Sequence, residues 1–163
     1  MVEIGCGPAG HIGRFVADLG RRVIGVDLSE GSLHVARRLN PRVPFVTADM
    51  AALPLGSGCV AGLVAFYSMI YEAEPGVRAA LAEFRRVLRR GGVLLAAVHA
   101  GQGVQHYRDY KGIPVDISLH LRAPEAFAEL VSRAGFTLQA CEVRPPYPFE
   151  HATDRLYLAA EAA

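Results

Sequence analysis

The sequence predicts an α/β domain in which a mostly parallel sheet is covered by helices on both faces. Short apolar runs rich in β-branched residues alternate with segments in which apolar residues recur at helical spacing. A glycine-rich turn joins the first of these runs to the first helical segment. The chain has 163 residues, of which 52% are hydrophobic and 20% charged, and this suits a single domain, 1–163, with a sizeable core.

Four runs in the first part of the chain are predicted strands, at residues 1–4, 22–27, 43–47 and 60–66. Helices are expected between the first three of them. The predicted apolar face of the first helix comprises Ile12, Phe15, Val16 and Leu19. The predicted buried side of the second comprises Leu33, Val35, Ala36 and Leu39, and Ser29 is its expected N-cap.

The second part of the chain continues the alternation as far as its last two strands. A helix with an apolar stripe from Val77 to Leu88 is predicted to end in the cations and glycines of 89–92, followed by a strand at 93–99. Residues 100–122 are poorly periodic and are expected to form a connecting loop. A helix then starts at Pro124. The final strands, 136–143 and 155–160, have no helix between them, which favours an antiparallel pair.

The turn after the first strand contains Gly5, Gly7 and Gly10. Without side chains, these positions permit a tight bend and let a ligand approach the backbone. The spacing also satisfies the dinucleotide fingerprint, and Asp27 follows at the distance expected of a ribose-binding acid. On these residues alone, a nicotinamide-dependent oxidoreductase remains an alternative.

Further motifs follow the glycine turn in a fixed order along the chain. They are Glu3 to Pro8, Gly25 to Ser29, Ala48 to Met50 followed by Leu53 to Leu55, and Arg86 to Leu94. With these motifs the chain resembles class I S-adenosylmethionine-dependent methyltransferases over essentially its whole length. One departure is Ala9, an inserted residue that moves the third glycine to position 10. The resemblance implies S-adenosylmethionine as cofactor and a Rossmann-like three-layer sandwich, with seven strands in the order 3-2-1-4-5-7-6 and the last one antiparallel.

The resemblance also assigns roles around the cofactor. Asp27 would accept hydrogen bonds from the ribose hydroxyls, and Asp49 from the adenine amino group. Glu3 would accept a turn N–H or, through water, bind the cofactor's ammonium group. Alternatives are that Asp27 only begins a helix and that Asp49 only caps the next turn. The expected cofactor-binding residues are Glu3, Gly5, Cys6, Gly7, Asp27, Leu28, Ser29, Asp49, Met50, Phe66 and Tyr67.

Residues for the methyl acceptor are expected after the fourth and fifth strands and in the final loop, at the edge where open α/β sheets bind ligands. The polar candidates are Tyr71, Glu72, His99, His106, Tyr107, Tyr110, His120 and His151. A base is needed only for an acceptor that must lose a proton. Tyr71, where many relatives have a histidine, and His120 are the catalytic candidates, although His120 could instead be a surface or packing residue and a dedicated base could be absent.

The composition excludes several classes of protein and of partner. The net charge is +1 and arginine forms no stripe, so a nucleic-acid partner is not expected. No apolar run reaches the roughly 20 residues of a membrane helix. Cys6, Cys59 and Cys141 form no CxxC pair, which argues against disulfides and a metal site and favours a cytoplasmic protein. We expect a monomer or homodimer that acts on a small-molecule acceptor.

Four residues precede Gly5, whereas relatives carry N-terminal helices that fold over cofactor and acceptor. The expectation is therefore a methyltransferase domain without these covering helices, and with weak binding and turnover as a consequence. A non-catalytic, methyltransferase-like subunit that binds a partner is a further alternative.

Overall fold

The structure, a computed structural model, describes every residue from Met1 to Ala163. The strands are β1 (Val2–Ile4), β2 (Ile24–Asp27), β3 (Phe45–Thr47), β4 (Val60–Phe66), β5 (Leu88–Ala100), β6 (Val104–Tyr110), β7 (Ile113–His120), β8 (Phe136–Arg144) and β9 (Asp154–Ala162). The helices are α1 (His11–Asp18), α2 (Glu30–Leu39), α3 (Glu74–Val87) and α4 (Pro124–Arg133), and a 3-10 turn covers Met69–Tyr71. None of the helices is long and apolar enough to span a membrane.

Seven strands form one sheet in the order β3-β2-β1-β4-β5-β9-β8. Strands β1 to β5 are parallel, whereas β9 is antiparallel to both of its neighbours. The predicted order is confirmed, because β8 and β9 are the sixth and seventh strands of this sheet in chain order. The carboxyl ends of β1, β2, β3 and β4 therefore meet at one edge, where open parallel sheets bind ligands.

The main core lies between the sheet and the helices α3 and α4. Its largest fully buried side chains include Phe84, Leu81, Leu63, Leu94 and Phe127. Strand β4, which contributes to this core, has the bounds expected from its apolar run. A smaller cluster lies under α1 and α2 and joins Val16, Leu33, Ala36 and Phe45. Burial on both faces explains why the central strands are almost wholly apolar.

The predicted apolar faces of the first two helices are only partly right. On α1, Val16 is buried, but Phe15 and Leu19 are each 62% exposed. The helix approaches the sheet through Gly13, where an added Cβ would lie 2.9 Å from Glu3 Oε2. This close approach turns the larger apolar side chains away from the sheet. On α2, Leu33 and Ala36 are buried as expected, whereas Val35 and Leu39 are exposed.

Helix α3 ends at Val87, earlier than the glycine pair that was expected to terminate it. Strand β5 begins at once with Leu88, and Gly91 and Gly92 lie inside it. The pairing with β4 shifts here, since Val60 pairs with Leu88 and Gly62 already pairs with Val93. A Cβ on Gly92 would lie 2.8 Å from the carbonyl oxygen of Arg89, so the glycine permits a bulge that a larger residue would oppose.

Residues 100–122, expected to be a loop, contain the antiparallel hairpin β6–β7 outside the main sheet. Its turn at Lys111 and Gly112 has positive φ at both residues, as a two-residue hairpin turn requires. The base of the hairpin is closed by a hydrogen bond from Gly101 N to the Arg122 carbonyl at 3.0 Å. Most hairpin side chains are polar and at least partly exposed, and β6 shows no apolar alternation. Strand β7 does alternate, with apolar residues at Ile113, Val115, Ile117 and Leu119, and this period of two is a signal from which the strand could have been predicted.

Candidate functional site

A cleft of about 580 Å³ opens at the carboxyl ends of β1, β2 and β4. Most of the expected cofactor-binding residues line it, namely Gly5, Gly7, Asp27, Leu28, Asp49, Met50 and Tyr67. Ser32, Ser68, Tyr71 and Glu72 complete its polar lining. Glu3, Cys6 and Phe66 instead line a smaller cavity of about 90 Å³ that shares Ile4, Gly5 and Tyr67 with the cleft. Ser29 lines neither cavity.

The glycine turn forms one wall of the cleft with its backbone. Gly5, Gly7 and Gly10 all have left-handed φ values, of +64°, +57° and +51°. A Cβ on Gly5 would lie 2.3 Å from Ser68 Cβ, because the loops after β1 and β4 touch at this point. A Cβ on Gly7 would meet no atom within 4 Å. Gly5 is therefore required by packing, whereas Gly7 leaves the backbone open to a ligand.

Asp27 ends β2 and connects this strand to the glycine turn and to the start of α2. Its Oδ2 accepts a hydrogen bond from Gly7 N at 2.8 Å, and its Oδ1 accepts one from Ser29 N at 2.9 Å. The carboxylate thus holds the glycine turn and the start of α2 together. Each oxygen retains a second lone pair, and Asp27 lines the cleft, so it can also accept hydrogen bonds from ligand hydroxyls. Ser29 caps α2 as expected, with its Oγ accepting from Ser32 N at 3.2 Å.

Asp49 follows β3 and lines the opposite wall of the cleft. Its Oδ1 accepts a hydrogen bond from Ala51 N at 2.8 Å, so it does cap the next turn. Its Oδ2 makes no hydrogen bond within the chain and remains available to a ligand. The neighbouring side chains Met50 and Leu28 are apolar, and Leu28 is 73% exposed. This wall therefore offers a hydrogen-bond acceptor beside apolar surface, which suits a flat, partly polar group.

Glu3 supports the glycine turn from beneath. It is 4% exposed, and its Oε2 accepts a hydrogen bond from Gly13 N in the first turn of α1 at 2.7 Å. Burial raises the pKa of this carboxyl, while backbone hydrogen bonds from Gly13 and Ile12 act in the opposite direction. Glu3 thus satisfies an N–H group in the first turn of α1, whereas the expected donor was an N–H group of the glycine turn.

Cys6 lies within the turn and is 5% exposed. Burial raises the pKa of its thiol to about 12, so the sulfur stays protonated and is a poor nucleophile. Its neighbour in space, Phe45, packs with it in the smaller core cluster. The side chain of Cys6 therefore packs, and the backbone beside it forms the turn.

The loop after β4 contributes an unpartnered polar group. Ser68 Oγ is buried, lines the cleft and has no hydrogen-bond partner within the protein. The preceding residue, Tyr67, has a φ of +56°, which is uncommon for a residue with a side chain. A strained backbone next to an unsatisfied buried hydroxyl is characteristic of ligand sites.

Beyond Tyr67, a second group of polar side chains lies at the carboxyl end of β5. The Tyr67 hydroxyl lies 3.0 Å from the hydroxyl of Tyr157, and its ring packs against His99 with centroids 5.2 Å apart. His99 Nδ1 lies 2.7 Å from Thr153 Oγ1. Burial, together with the charge of Arg155, lowers the pKa of His99 to about 4, so this ring is neutral near pH 7.

The hairpin and the final loop meet over His99. The Tyr107 hydroxyl lies 2.6 Å from Gln105 Oε1 and 3.0 Å from His151 Nε2. His151 Nε2 is also 3.2 Å from Gln105 Oε1, and its ring stands edge-on to His99 with centroids 5.5 Å apart. Sequence reasoning named His99, Tyr107 and His151 only as members of a longer set, and the structure brings these three together.

The loop that carries His151 is held by ionic contacts. Arg144 forms two hydrogen bonds to the Glu150 carboxylate, at 2.7 and 2.8 Å, and its guanidinium lies 4.2 Å from the centroid of the Tyr147 ring. Hydrogen bonds from Arg144 and from Tyr147 N lower the pKa of Glu150 to about 2. Paired contacts of this kind fix orientation as well as position, so the loop presents His151 in one geometry.

The two residues preferred as catalytic from the sequence lie in different places. Tyr71 is in the 3-10 turn, lines the cleft and is 57% exposed. His120 ends β7, does not line the cleft and makes no side-chain hydrogen bond within the protein. Of the other candidates, His106 pairs with Ser118 on the hairpin at 3.0 Å, and Tyr110 is exposed at the end of β6. The structure therefore leaves Tyr71 at the cleft and separates His120 from it.

Arg122 is a residue of the site that sequence reasoning did not identify. It follows the hairpin, and its Nη2 donates to the carbonyl oxygens of Met69, at 3.4 Å, and of Glu72. Its backbone N donates to the His99 carbonyl at 2.9 Å. Arg122 thus joins the end of β5 to the 3-10 turn that carries Tyr71. In the sequence, Arg122 is a single arginine after a segment without clear periodicity, and nothing near it predicts contact with the 3-10 turn.

Comparison with known proteins gives consistent matches across the chain. Residues 1–92 match the model of a methyltransferase domain family. A malonyl-[acyl-carrier protein] O-methyltransferase from Serratia marcescens is 32% identical over 109 residues, which are 67% of this chain and 42% of that protein. A probable S-adenosylmethionine-dependent methyltransferase from Mycolicibacterium smegmatis is 33% identical over 139 residues, which are 85% of this chain and 52% of that protein. The chain thus spans about half the length, or less, of these curated relatives.

The fold matches a crystal structure of an S-adenosylmethionine-dependent methyltransferase from Methanosarcina mazei. The TM-score is 0.86 at 17% sequence identity, and the match covers 98% of this chain and 90% of that one. At this identity the likeness establishes the fold, whereas membership of a family rests on the match over the glycine turn, β2 and β4.

Proposed function

Since this chain belongs to the family of S-adenosylmethionine-dependent methyltransferases, we propose that it binds S-adenosylmethionine in the cleft and promotes methyl transfer to a small-molecule acceptor. The observation that carries the proposal is Asp27, which ties the glycine turn to the end of β2 while lining the cleft. A carboxylate at this point can accept hydrogen bonds from a ribose diol next to a turn that is open to the rest of the cofactor.

The other residues of the cleft fit the remaining groups of the cofactor. Asp49 retains a free oxygen for the adenine amino group, and the backbone N–H of Met50 makes no hydrogen bond within the chain. The side chains of Leu28 and Met50 supply apolar surface for the adenine ring. The unpartnered Ser68 hydroxyl and the turn from Gly5 to Gly7 would hold the methionyl part.

When bound, S-adenosylmethionine supplies an electrophilic methyl group on a sulfonium. The residues of this chain would contribute mainly by positioning, since holding reactants in line accounts for much of the rate of such a displacement. Tyr67 lies between the cleft and the polar group at the end of β5. Burial and the hydrogen bond with Tyr157 raise the pKa of Tyr67, so its hydroxyl stays protonated and orients a neighbour without acting as a base.

Thermal unfolding with and without ligand tests the proposal directly. At a concentration of S-adenosylmethionine or S-adenosylhomocysteine about 100 times the dissociation constant, stabilisation of about 2.7 kcal/mol is expected. Asp27→Ala should abolish this stabilisation. Asp116→Ala is the matched control, because Asp116 pairs only with Arg108 on the exposed hairpin and should leave the response unchanged.

The ligand that stabilises the protein also separates the competing functions. Stabilisation by NADH and not by S-adenosylmethionine would replace the proposal with a nicotinamide-dependent oxidoreductase. No response to either ligand would favour a non-catalytic, partner-binding role. An equal response of the wild type and Asp27→Ala to S-adenosylmethionine would show that the ribose assignment is wrong.

A further inference from the structure

We propose that Tyr67, His99, Gln105, Tyr107 and His151, here named the polar shelf, bind a planar hydroxylated acceptor such as a phenol or enol, and that His151 Nδ1 removes its proton. This inference rests on the proposed function and specifies the acceptor class. The proposed base is neither Tyr71 nor His120. The proposal depends on which ring nitrogens of His99 and His151 carry protons.

The hydrogen bonds around Tyr107 fix the tautomer of His151. Gln105 Oε1 can only accept, so the Tyr107 hydroxyl, 2.6 Å away, donates its proton to it. The Tyr107 oxygen then accepts from His151 Nε2 at 3.0 Å, and Gln105 Oε1 lies 3.2 Å from the same nitrogen. Both contacts require a proton on Nε2. In neutral His151 the lone pair is therefore on Nδ1, which makes no hydrogen bond within the protein.

A second chain of hydrogen bonds fixes His99 in the same way. Arg155 Nη1 donates to Thr153 Oγ1 at 2.8 Å, and a guanidinium can only donate. The Thr153 oxygen has a second lone pair, but its hydroxyl proton has no acceptor other than His99 Nδ1, 2.7 Å away, so the hydroxyl donates there. Neutral His99 consequently carries its proton on Nε2, which has no partner within the protein. The ring stays neutral because burial and the charge of Arg155 lower its pKa to about 4.

The shelf therefore presents one free N–H donor and one free nitrogen lone pair on adjacent rings, whose centroids are 5.5 Å apart. A hydroxyl group complements this pair, because its oxygen accepts from His99 while its proton is donated to His151. A carboxylate would only accept and a protonated amine would only donate, so each would leave one histidine unsatisfied.

The walls of the shelf indicate the shape of the acceptor. Tyr67 packs beside His99 and Tyr107 beside His151, with ring centroids 5.2 and 5.9 Å apart, so the two imidazoles adjoin two further flat rings. Aromatic walls favour a planar ligand in stacked or edge-on contact. Tyr67 also lines the cleft, so an acceptor on the shelf would adjoin the cofactor site.

The reaction at the shelf is balanced in protons and electrons. The acceptor O–H bond breaks and its proton passes to His151 Nδ1. A lone pair of the acceptor oxygen forms the bond to the methyl carbon, and the electron pair of the broken carbon–sulfur bond remains on sulfur, which becomes a neutral thioether. Protonated His151 then returns its proton to water. Proton transfer of this kind typically contributes about 10²–10⁴-fold to a rate.

Nuclear magnetic resonance of the cofactor-free protein tests the tautomers. Long-range proton–nitrogen correlations of ¹⁵N-labelled histidine should show both His99 and His151 protonated on Nε2 when neutral. Asparagine substitutions at each position would assign the signals. A neutral His151 protonated on Nδ1 would overturn the assignment of the base.

Binding of 4-nitrophenol tests the chemistry, because its phenolate has a distinct absorption band. At a pH about one unit below the probe's own pKa, the wild type should bind it and increase the phenolate fraction. His151→Gln keeps an N–H group for Tyr107 but lacks the free lone pair. We expect it to bind the probe within about threefold of the wild type and to lose the phenolate signal. His106→Gln, on the hairpin next to Tyr107, is the matched control and should behave like the wild type.

The outcomes separate the two proposals, since the probe is measured without cofactor. Failure of the wild type to bind 4-nitrophenol, or an unchanged phenolate signal in His151→Gln, overturns the acceptor assignment even if S-adenosylmethionine binds. Absence of S-adenosylmethionine binding with a normal phenolate signal overturns the proposed function while leaving the chemistry of the shelf intact.

Discussion

The cleft and the polar shelf are neighbours that the chain builds in different ways. In the cleft, Asp27 binds backbone N–H groups 20 and 2 residues away. On the shelf and beside it, side chain meets side chain across much longer separations, 54 residues for His99 and Thr153 and 90 for Tyr67 and Tyr157. Backbone contacts between nearby residues leave a recognisable spacing in a sequence, whereas contacts between distant side chains do not.

The two regions should also respond differently to substitution. The cleft depends on backbone conformation and close approach, so small side chains added there should have large effects. The shelf depends on hydrogen bonds between side chains, so changes there should alter chemistry more than folding.

Gly5→Ala is expected to destabilise the protein by about 3 kcal/mol, from left-handed strain and overlap with Ser68. Gly7→Ala is the matched control, since its φ is similar but its Cβ would meet open space, and it should cost only about 1 kcal/mol. Urea unfolding measures both. Ser68→Gly should restore part of the loss in Gly5→Ala, and equal costs for the two alanine variants would contradict the close approach of the β1 and β4 loops.

Arg122→Ala should weaken binding of S-adenosylmethionine about tenfold, or about 1.4 kcal/mol, because the 3-10 turn that lines the cleft loses its tether. Calorimetric titration measures the change. Arg85→Ala removes a similar arginine contact to the carbonyl oxygens of Gly135 and Ala163, far from the cleft, and should leave affinity unaltered. A matching loss in both variants would indicate general destabilisation.

His99 should make stability depend on pH. Its pKa is lowered from 6.5 in the unfolded chain to about 4 in the native protein, so protonation favours the unfolded state. The contribution of neutral His99 to the free energy of unfolding is complete above pH 6.5 and is lost as the pH falls from 6.5 towards 4. After allowance for solvent screening, a loss of about 1 kcal/mol is expected. Unfolding measured across this range should show a shallower slope for His99→Asn, and parallel slopes would show that His99 is not responsible.

Phe149→Ser should have the smallest effect, within about 0.5 kcal/mol, because this side chain is 87% exposed. The final loop is held instead by Arg144 and Glu150. Thermal unfolding and the phenolate signal of bound 4-nitrophenol should therefore both remain close to the wild type. A large change in either would mean that the stacking of Phe149 on Tyr147 positions His151.

Much of the fold followed from the sequence because its signals are local. The run of β4 and the positions of Gly5, Gly7 and Asp27 depend on periodicity and spacing that neighbouring residues determine, whereas the order of the sheet was implied by the family resemblance. The bulge at Gly91 and Gly92 was read as a helix end, since a cation and glycine cluster has the same composition in both settings. The hairpin was missed although β7 alternates at Ile113, Val115, Ile117 and Leu119, because its partner β6 has no such pattern.

In the candidate site, too, the residues with local signals were predicted and those with distant partners were not. Asp27 and Asp49 each had two interpretations, and the structure gives each carboxylate a turn contact together with a place in the cleft. As candidate bases, the histidines could be ranked only by their position along the chain, and His120 was favoured. Nothing in the local sequence distinguishes His151, because its partners Gln105 and Tyr107 are more than 40 residues away.

The hairpin leaves and re-enters the domain at almost one point. A β-bridge joins Ala100 and Arg122, and Gly101 N donates a hydrogen bond to the Arg122 carbonyl. The two ends of the hairpin segment are therefore as close together as the ends of a tight turn. Such an insertion can be exchanged for another without moving β5 or α4. Grafting alternative hairpins at this junction, with the buried Leu119 retained, would replace Gln105 and Tyr107 together. Substrate range could then diversify through a single exchangeable module, in evolution and in the laboratory alike.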